Sequence, residues 1–486
     1  MPLFKNQKRR HENSQIRFGT DGWRGVIADQ FTFENVGRVA EATALYWNRH
    51  RPRGRDKRVI VGYDRRFLAE RFADLVASVF GERGYDVILS KQPLPTPSLS
   101  YACRHLNAAG GVMVTASHNP ARYCGIKLKT HMGSAADRVL CQGVEETLRE
   151  VTFEWTHGQM FARGGNVRIE NLSSLHESAI RRYVDMGVIR KGKLKVGVDA
   201  LHGVGAGVFE RLLAKTSNEV FSFNAHRDVL FGGRSPEPIA ENYEETASAL
   251  SASPKDLCLV TDGDADRIGG MFGNGFPMTT HQIICLLLHA FASDRGLKGK
   301  VIKALTTSSM VDKICADFGF PLVETRVGFK DIGAEMTMGP YLMGVEESGG
   351  LGFPNHIPER DGILAGLLLI ELLLTKGRSL EVLVRELESR YGPHAYGRID
   401  VSYPLAQRER LMDDCRRHAP ANLVGSPVDE MKTFDGVKYV ARNGSWLMLR
   451  GSGTEPIVRV YAEAETEKKV LTLLRRGQRI LAQSLT

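Results

Sequence analysis

Paired cysteines and long apolar runs are missing from this 486-residue sequence, and each absence removes a class of protein. Its seven cysteines are an odd number without a C-x-x-C pair, which argues against a disulfide framework or a zinc ribbon. The longest apolar stretch, residues 363–374, contains Glu371 and is shorter than the ~18 to 20 residues that cross a bilayer. No apolar segment follows the charged N-terminus, so no secretory signal is indicated. We therefore predict a cytoplasmic protein with reduced thiols and no membrane partner, in which residues 363–374 form a buried helix.

Acidic residues are outnumbered, since 56 Asp and Glu stand against 65 Lys and Arg, for a formal net charge of +9. Part of the excess is local, in residues 5–10 (KNQKRR) and 49–58 (RHRPRGRDKR). Such stretches are typical of a basic tail and a solvated loop, or they attract anions. Because aromatic residues are not interleaved with the basic ones, we predict phosphorylated small molecules as partners and no nucleic acid.

Hydrophobic residues make up 42% and charged residues 25% of the chain, which excludes global disorder. The length indicates about three or four domains. Strand-like runs alternate with helical patterns three times, starting near residues 58, 193 and 300. This alternation predicts mostly parallel sheets covered by helices on both faces. After Pro393, closely spaced strands precede a closing helix at residues 466–483. The predicted fold class is α/β, with three similar α/β modules of mixed sheets and a smaller C-terminal α+β domain.

Four segments carry chemically active residues, and each follows a predicted strand, where open α/β sheets place their ligands. In the first, Ser117 comes just after the strand predicted at residues 111–114 and next to His118. A serine placed there can present its hydroxyl to a cleft as a nucleophile. The G-x-S-x-G pattern of a hydrolase elbow is absent, and a serine turn or helix cap is the structural alternative.

The second segment is residues 262–267 (DGDADR), where three carboxylates at alternating positions can converge on one cation. Aspartate oxygens in small number suit Mg²⁺, which keeps room for water or a phosphate oxygen. The segment is not an EF-hand, because Gly273 stands where loop position 12 needs Glu. A solvated acidic turn is the alternative interpretation.

The third and fourth segments, taken alone, are weaker evidence for a binding site. Residues 344–350 (GVEESGG) place two adjacent carboxylates between glycines, which could bind paired sugar hydroxyls. Residues 450–456 (RGSGTEP) combine Arg, two hydroxyls and glycine-exposed N–H groups in a possible phosphate cradle. Glutamate pairs and glycine-rich turns are also common on ordinary loops.

Together the four segments resemble the signatures of the α-D-phosphohexomutase superfamily, the phosphoglucomutases and phosphomannomutases, in the family's order. The resemblance extends from residues 18–25 (FGTDGWRG) through residues 325–330 (TRVGFK) to the segment at 450–456. It implies four domains around a central cleft. The implied domains are residues 1–175 with a phosphoserine loop, 176–280 with a metal-binding loop, 281–392 with a sugar-binding loop and 393–486 with a phosphate-binding loop.

The resemblance also implies roles for individual residues. Ser117 corresponds to the serine that carries the transferable phosphoryl group. The Mg²⁺ ligands would be Ser117, through its phosphoryl oxygen, and Asp262, Asp264 and Asp266. The residues that line the reaction centre would be Arg24, His118, Lys127 and Arg267, with Lys127 and His118 both suited to move a proton. The substrate-binding residues would be Lys330, Glu346, Ser348, Arg450, Ser452, Gly453 and Thr454.

The activity implied is the interconversion of hexose 1-phosphate and hexose 6-phosphate through a hexose 1,6-bisphosphate, with Mg²⁺ as cofactor and glucose 1,6-bisphosphate as activator. The Glu-Glu-Ser-Gly loop resembles the glucose type, so glucose is favoured and mannose is second. A monomer or dimer is expected. Three departures from the family pattern are Val345, Cys124 and Gly451, which replace a usual Gly, Asn and Pro. None of them removes a reactive group.

Two other functions remain open on the residues themselves. A Mg²⁺-dependent sugar phosphatase would use Asp262 as its nucleophile, as the Asp-x-Asp run suggests. A sugar-phosphate sensor would keep the cleft without turnover, although the intact serine, aspartates and Lys127 argue against it.

Overall fold

The computed structural model describes residues 16–19, 21–153, 166–452 and 456–484. The predictions for residues 5–10, Gly453 and Thr454 lie outside these ranges. All seven cysteines lie inside them, and all are buried and free, as predicted. Within these ranges the structure contains no helix with the length and apolar character of a membrane span.

The first module is a six-stranded mixed sheet in the order β1-β5-β4-β2-β3-β6. Strand β2 pairs parallel with β3 and β4, whereas β5 pairs antiparallel with both β4 and β1. Its strands are β1 (Trp23–Val26), β2 (Arg58–Tyr63), β3 (Asp86–Ser90), β4 (Gly110–Val114), β5 (Tyr123–Thr130) and β6 (Val167–Glu170). Its helices are α1 (Phe33–Arg49), α2 (Ala69–Glu82), α3 (Thr96–His105) and α4 (Arg138–Thr147), and α5 (Ser173–Tyr183) and α6 (Met186–Lys191) lead to the next sheet.

The second module is a five-stranded mixed sheet in the order β11-β10-β9-β7-β8, and the third is a four-stranded sheet in the order β13-β12-β14-β15. The second contains β7 (Lys195–Asp199), α7 (Val208–Leu213), β8 (Glu219–Phe223), α8 (Glu244–Ala252), β9 (Leu257–Thr261), β10 (Ile268–Phe272) and β11 (Pro277–Met278). The third contains α9 (Thr280–Ser293), β12 (Lys300–Ala304), α10 (Met310–Phe318), β13 (Leu322–Thr325), α11 (Phe329–Thr337), β14 (Tyr341–Glu346), β15 (Gly350–Gly352), α12 (Gly362–Lys376) and α13 (Leu380–Tyr391).

A single hydrophobic core joins the second and third modules. It contains Val198 and Leu259 of the second sheet together with Val301 and Val345 of the third. Helix α12 contacts strands of both modules, β9 and β10 of the second and β15 of the third. This position explains why the apolar stretch predicted as a buried helix has almost no polar face, because apolar neighbours surround it.

The fourth module is a six-stranded antiparallel sheet in the order β16-β21-β20-β19-β18-β17, with α15 packed on β16 and β21. Its elements are β16 (Ala395–Ser402), α14 (Arg408–Arg417), β17 (Asn422–Leu423), β18 (Ser426–Lys432), β19 (Val437–Ala441), β20 (Trp446–Gly451), β21 (Ile457–Ala464) and α15 (Glu467–Ser484). The chain therefore has the predicted architecture of three α/β modules with mixed sheets and a smaller C-terminal α+β module.

Each of the four segments identified in the sequence lies, along the chain, between two strands that pair antiparallel. They connect β4 to β5, β9 to β10, β14 to β15 and β20 to β21. A return strand brings the residues after each turn back alongside the strand before it. For this reason Lys127 on β5 and Arg267 just before β10 stay close to the turns that precede them.

A buried lysine lies where the fourth module meets the third. Lys438 on β19 is 3% exposed, and its Nζ donates to the Leu305 carbonyl at 2.7 Å and lies 4.1 Å from the centre of the Trp446 ring. Burial, assisted by the positive charge of Lys303, lowers the pKa of the Lys438 amine to about 7. The ammonium form is therefore disfavoured in the folded protein.

Replacing Lys438 by Met is expected to remove a pH dependence of stability. The unfolded amine has a pKa of about 10.4, so between pH 7 and 9.5 the unfolded wild type binds more protons than the folded form. The free energy of unfolding of the wild type should therefore rise across this window, by about 3 kcal/mol, whereas Met has nothing to titrate. Thermal unfolding of both proteins at several pH values measures the difference.

The buried variant Met448→Leu is the control, because Met448 packs in one cluster with Leu305 and Trp446, the two partners of Lys438, and carries no ionisable group. Its effect on Tm should not change with pH. If wild type and K438M shift in parallel from pH 7 to 9.5, the Lys438 amine is not destabilised by burial.

Candidate active site

The serine turn faces the aspartate turn directly. Ser117 is fully buried, and its Oγ donates to Asp262 Oδ2 at 2.8 Å. Its backbone lies in the left-handed region, with φ of 52°, which is uncommon for a residue with a side chain. Gly263 packs so closely that a Cβ placed there would lie 2.5 Å from the Ser117 carbonyl oxygen. The serine and aspartate turns are therefore in contact across two modules.

The three aspartates predicted to bind a metal converge, as the spacing suggested. One carboxylate oxygen from each of Asp262, Asp264 and Asp266 lies within 4.8 Å of the others, and all three residues are fully buried. Oδ1 of Asp264 and Oδ1 of Asp266 are buried without a hydrogen-bond partner among the described residues. Buried carboxylate oxygens without partners are costly, and hard oxygen donors are those that Mg²⁺ prefers. The donor set therefore fits a magnesium ion.

The other oxygens of Asp264 and Asp266 accept from Lys127 and Thr96 of the first module. Lys127 Nζ lies 2.7 Å from Asp21 Oδ2, 2.8 Å from Asp264 Oδ2 and 2.7 Å from Asp266 Oδ2. Thr96 Oγ1 donates to Asp264 Oδ2 at 2.6 Å. Asp264 and Asp266 thus each have one oxygen bound by the protein and one left over, which is the arrangement a metal ligand needs.

The electrostatics of the group are those of a cation site. Burial, followed by the charges of Asp264 and Asp266, raises the pKa of Asp262 well above its ordinary value. Burial also acts to raise the pKa of Asp264, but the charge and hydrogen bond of Lys127, the hydrogen bond of Thr96 and the charge of Arg360 together hold that pKa below the usual range. Burial alone would lower the pKa of Lys127, yet the surrounding carboxylates raise it. Lys127 is therefore a fixed positive charge at the reaction centre.

Arg360 connects three modules and was not predicted from the sequence. Its side chain is 1% exposed; Nη1 donates to Glu346 Oε1 at 2.9 Å and Nη2 to Asp266 Oδ2 at 2.7 Å. Nη2 also donates to Asp21 of the first module. One guanidinium thus links the sugar-binding turn, the metal-binding turn and the FGTDGWRG segment.

A hydrogen-bonded cluster anchors the residue that follows Arg360. Asp361 Oδ1 caps helix α12 by accepting from the N–H groups of residues 363 and 364. Its Oδ2 lies 2.6 Å from His176 Nε2 and 2.8 Å from His356 Nε2, and Ser98 Oγ lies 2.9 Å from His176 Nδ1. These atoms satisfy one another, so the cluster fixes the start of α12 and with it the backbone of Arg360.

The predicted lining residues Arg24, His118 and Arg267 also meet at this centre. Arg24 Nη1 donates to Asn119 Oδ1, and the Arg267 backbone N–H donates to Asp262 Oδ1 at 3.1 Å. Burial, and then the charges of Arg267, Arg24 and Lys127, lower the pKa of His118 well below its ordinary value. A neutral imidazole can accept a proton and an ammonium can donate one, so His118 and Lys127 suit opposite halves of a proton transfer.

The turn predicted to bind the sugar, residues 344–350, is held in shape by hydrogen bonds of its side chains. Glu346 Oε1 accepts from Ser348 Oγ at 2.8 Å and from Arg360 at 2.9 Å. Glu347 Oε2 accepts from Thr306 Oγ1 at 2.5 Å, and burial, together with the Glu346 charge, raises the pKa of Glu347. Both carboxylates therefore have donors within the protein.

The sugar-binding turn also touches the metal-binding turn through the backbone. Arg267 and Gly350 form an isolated antiparallel bridge, and the Ile268 N–H donates to the Gly349 carbonyl at 2.9 Å. The predicted metal and sugar residues consequently belong to one continuous surface.

The segment predicted to bind phosphate, residues 450–456, is described at residues 450–452 and 456. Arg450 Nε donates to Asp435 Oδ2 at 2.9 Å, and the Val327 N–H donates to the same oxygen at 2.8 Å. The Ser452 carbonyl accepts from Arg408. Arg450 is thus joined, through one carboxylate, to the segment of the third module that precedes Lys330.

Lys330 faces the first module. Its Nζ donates to the Gly19 carbonyl at 2.9 Å and lies 3.5 Å from Cys141 Sγ. It is therefore placed beside the FGTDGWRG segment and is linked by Gly19 to the part of the chain that contains Asp21.

Sequence reasoning missed Asp21, Arg66 and Arg360. Asp21 lies inside the FGTDGWRG segment that carries part of the family resemblance, so a signal was available. Arg360 belongs to a charged triplet, residues 359–361, directly before an apolar helix, which is a weaker signal. Arg66 has no signal, because nothing local distinguishes it from Arg65.

Comparison with known proteins gives matches along most of the chain. Four models of the phosphoglucomutase/phosphomannomutase family match. The matches are alpha/beta/alpha domain I at residues 15–155, domain II at 175–275, domain III at 279–391 and the C-terminal domain at 401–476.

Individual proteins match over nearly their full length. A phosphoglucomutase/phosphomannomutase of Thermococcus kodakarensis is 30% identical, covering 96% of this chain and 99% of that protein. A phosphoglucosamine/phosphogalactosamine mutase of Sulfurisphaera tokodaii is 29% identical, covering 96% and 98%. The crystal structure of a putative phosphomannomutase from Thermus thermophilus superposes with a TM-score of 0.85 at 33% identity, covering 96% and 99%.

Proposed function

Because the chain belongs to the phosphoglucomutase/phosphomannomutase family, we propose that it interconverts hexose 1-phosphates and hexose 6-phosphates through a phosphoserine at Ser117. The observation that carries this proposal is the 2.8 Å contact of Ser117 Oγ with Asp262 inside a buried group of three aspartates.

We further propose the domain boundaries stated above, at residues 175, 280 and 392. The free, buried cysteines support a reducing compartment such as the cytoplasm.

Phosphoryl transfer depends on positioning and charge neutralisation more than on covalent chemistry by the protein. In the proposed reaction a sugar hydroxyl attacks the phosphorus, the P–O bond to Ser117 Oγ breaks and a new P–O bond to the sugar forms. The hydroxyl proton passes to a nearby base, for which the neutral imidazole of His118 is the candidate, and the sugar oxygen that departs in the return step takes a proton, for which the Lys127 ammonium is the candidate donor. The bisphosphate then turns, and its other phosphoryl group returns to Ser117 Oγ.

Asp262, Asp264, Asp266 and a phosphoserine oxygen would hold Mg²⁺, which when bound supplies a Lewis acid that withdraws charge from the transferring group. The chain itself contributes the Lys127 ammonium and the guanidinium of Arg267 beside the same carboxylates. Enclosure of these groups keeps water from the phosphoserine while the intermediate turns. Arg450 and Ser452, with the adjacent Gly453 and Thr454, would bind the phosphate that is not being transferred.

Glucose is the proposed sugar, with mannose as a second hexose. Glu346 is paired with Arg360, and Glu347 has Thr306 as donor and a raised pKa, so neither offers an uncompensated negative charge. A neutral hydroxyl suits such a turn better than the ammonium of an amino sugar. The Sulfurisphaera relative's name makes glucosamine phosphate the specific competitor to test.

The alternative of an aspartyl phosphatase is weakened by the contacts of Asp262. Both of its carboxylate oxygens are engaged, Oδ2 by Ser117 and Oδ1 by the Arg267 N–H. A carboxylate with both oxygens in use is a poorer nucleophile than the hydroxyl that it faces.

A coupled assay tests the proposal. Glucose 1-phosphate, mannose 1-phosphate and glucosamine 1-phosphate are supplied with Mg²⁺ and catalytic amounts of glucose 1,6-bisphosphate. We expect 6-phosphate from glucose 1-phosphate at the highest kcat/KM. Release of inorganic phosphate in place of a 6-phosphate would favour the phosphatase, and faster turnover of glucosamine 1-phosphate would overturn the choice of sugar.

Removing the metal site is expected to remove stabilisation by Mg²⁺. An ion at about 100 times its Kd stabilises the folded state by about 2.7 kcal/mol, which should raise Tm by several degrees in the wild type. Asp264→Asn takes away one unpartnered carboxylate oxygen and one of the three carboxylate charges that face Lys127, so the Mg²⁺-induced shift should disappear. Asp317→Asn, on an exposed ion pair with Arg390, should keep it. An equal Mg²⁺ shift in D264N and wild type would place the ion elsewhere.

A further inference from the structure

The side chain of Arg66 lies directly beneath the serine turn. It follows strand β2, its side chain has no solvent-accessible surface, and none of the residues assigned above is responsible for the shape of that turn. Resting on the proposed function, we propose that Arg66 is the positioning residue that fixes the backbone of the phosphoserine turn so that Ser117 Oγ faces the aspartates.

All five N–H donors of the Arg66 guanidinium are used. Four of them bind backbone carbonyls of the turn, and the fifth binds a carboxylate. Nη2 donates to Ser117 O at 2.7 Å and Asn119 O at 2.7 Å, Nη1 donates to Tyr123 O at 2.9 Å and Pro120 O at 3.1 Å, and Nε donates to Asp64 Oδ2 at 3.2 Å. One rigid planar group thereby sets the positions of four carbonyls within seven residues.

A second chain of hydrogen bonds reaches the same serine from the other side. Asp64 Oδ2 accepts from Thr115 Oγ1 at 2.6 Å, and Thr115 Oγ1 accepts from the Ser117 N–H at 2.8 Å. Both polar groups of the Ser117 backbone are therefore bound to the Asp64–Arg66 pair, the carbonyl directly and the N–H through Thr115.

The turn needs such support for two reasons. Ser117 is held at φ of 52°, a conformation that a residue with a Cβ adopts only when its surroundings impose it. The Ser117 carbonyl is directed into the buried interior, where a carbonyl needs a hydrogen-bond donor, and the guanidinium supplies it. Lysine carries the same charge but has three donors at a single point, so it cannot bind four carbonyls in one plane.

Contacts from the second module hold the guanidinium in place. The Phe231 ring centre lies 4.9 Å from Arg66 Cζ, and Arg227 Nη2 donates to the Arg66 carbonyl at 3.2 Å. The backbone at Gly263, in the metal-binding turn, packs against the Ser117 carbonyl that Arg66 binds. The serine turn is thus enclosed between Arg66 and the metal-binding turn, and a shift of Arg66 would move Oγ relative to the aspartates.

A positioning role predicts a particular kinetic signature. The groups proposed to bind the sugar and the distal phosphate lie in the third and fourth modules, so loss of the guanidinium fork should leave KM within about twofold. Displacement of a reacting atom by about 1 Å costs on the order of a hundredfold in rate, so kcat of Arg66→Lys should fall by about that factor. If Arg66 were needed only for stability, its replacement would lower Tm and the fraction of active protein, but the active molecules would keep the wild-type kcat.

The experiment compares Arg66→Lys and Thr115→Val with wild type and with Arg65→Lys. Thr115→Val keeps the shape of a buried residue and removes only the hydroxyl, so it tests the same network should the lysine variant not fold. It should lower kcat about tenfold, the equivalent of one lost hydrogen bond of about 1.4 kcal/mol. Arg65, whose Nη1 binds the Ala225 carbonyl, is the adjacent control and should behave as wild type.

Amide hydrogen exchange across residues 115–123 is measured in parallel, because it does not depend on activity. Faster exchange there in both variants, with reduced kcat and unchanged KM, supports the proposal. Wild-type kcat in both variants, or a rise in KM that accounts for the loss, overturns it. If the wild type shows no mutase activity, the proposed function fails instead, and unchanged exchange in the variants would then also reject the role of Arg66.

Discussion

Ser117→Ala is expected to lose hexose phosphate interconversion by at least about a thousandfold, because the variant has no oxygen to carry the phosphoryl group between the two ends of the sugar. The only described polar contact of that hydroxyl is the one to Asp262, so its loss should cost about 1 to 3 kcal/mol of stability and leave the protein folded. Intact-protein mass after incubation with glucose 1,6-bisphosphate should show one added phosphoryl group on the wild type and none on the variant. The coupled assay gives the loss in kcat.

Ser78→Ala is the matched control for this experiment. Ser78 is also buried, but its Oγ donates to the Asp74 carbonyl within helix α2, far along the chain from the aspartates. It should keep full activity. Two results for S117A would contradict the phosphoserine mechanism: retained isomerisation, or lost isomerisation with continued release of phosphate, which would point to Asp262 as the nucleophile.

Arg360→Met is expected to destabilise the protein strongly as well as to inactivate it. The guanidinium neutralises Asp21, Asp266 and Glu346 at once, and the variant leaves them buried with Lys127 as the nearest ammonium. Removing one member of a buried ion pair typically costs about 3 to 5 kcal/mol. For modules of this size the first thermal transition should fall by roughly 10 °C.

The exposed pair of Arg378 and Glu386 supplies the control. Arg378→Met should change stability by less than about 1 kcal/mol, since exposed ion pairs contribute little. Arg360→Lys should recover part of the stability by restoring the charge, yet little of the activity, because an ammonium cannot reach three separate carboxylates as a fork does. An R360M protein with the Tm of wild type would show that the three carboxylates are neutralised by other means.

The losses expected for S117A and R360M have different origins: the first removes a reacting atom, and the second removes contacts between modules. Ser117 contributes an atom to the reaction and little to the fold. Arg360 contributes to both, since its three partners come from three modules and their relative position depends on it. The same reasoning places Arg66 between these cases, because it contacts no substrate but determines where the serine hydroxyl lies.

Much of the site follows from local sequence. The aspartate run and the serine turn were identified because strand ends and residue types are visible over six or seven residues, and the structure brings these two turns into contact. The alternation of strands and helices predicted the three α/β modules, and closely spaced strands predicted the C-terminal module. The long apolar helix was also evident, because a helix that is apolar on all faces must be buried.

Only the tertiary structure decided which charges belong to the site. Arg360 and Asp21 are 339 residues apart, and Lys127 and Asp266 are 139 residues apart, so no local sequence pattern predicts either ion pair. The sequence does not distinguish a fully buried arginine from a partly exposed one, as the neighbours Arg66 and Arg65 illustrate. Local sequence determined the elements and the reactive turns because these depend on neighbouring residues, whereas the ion pairs and the support of the serine turn depend on packing between distant segments.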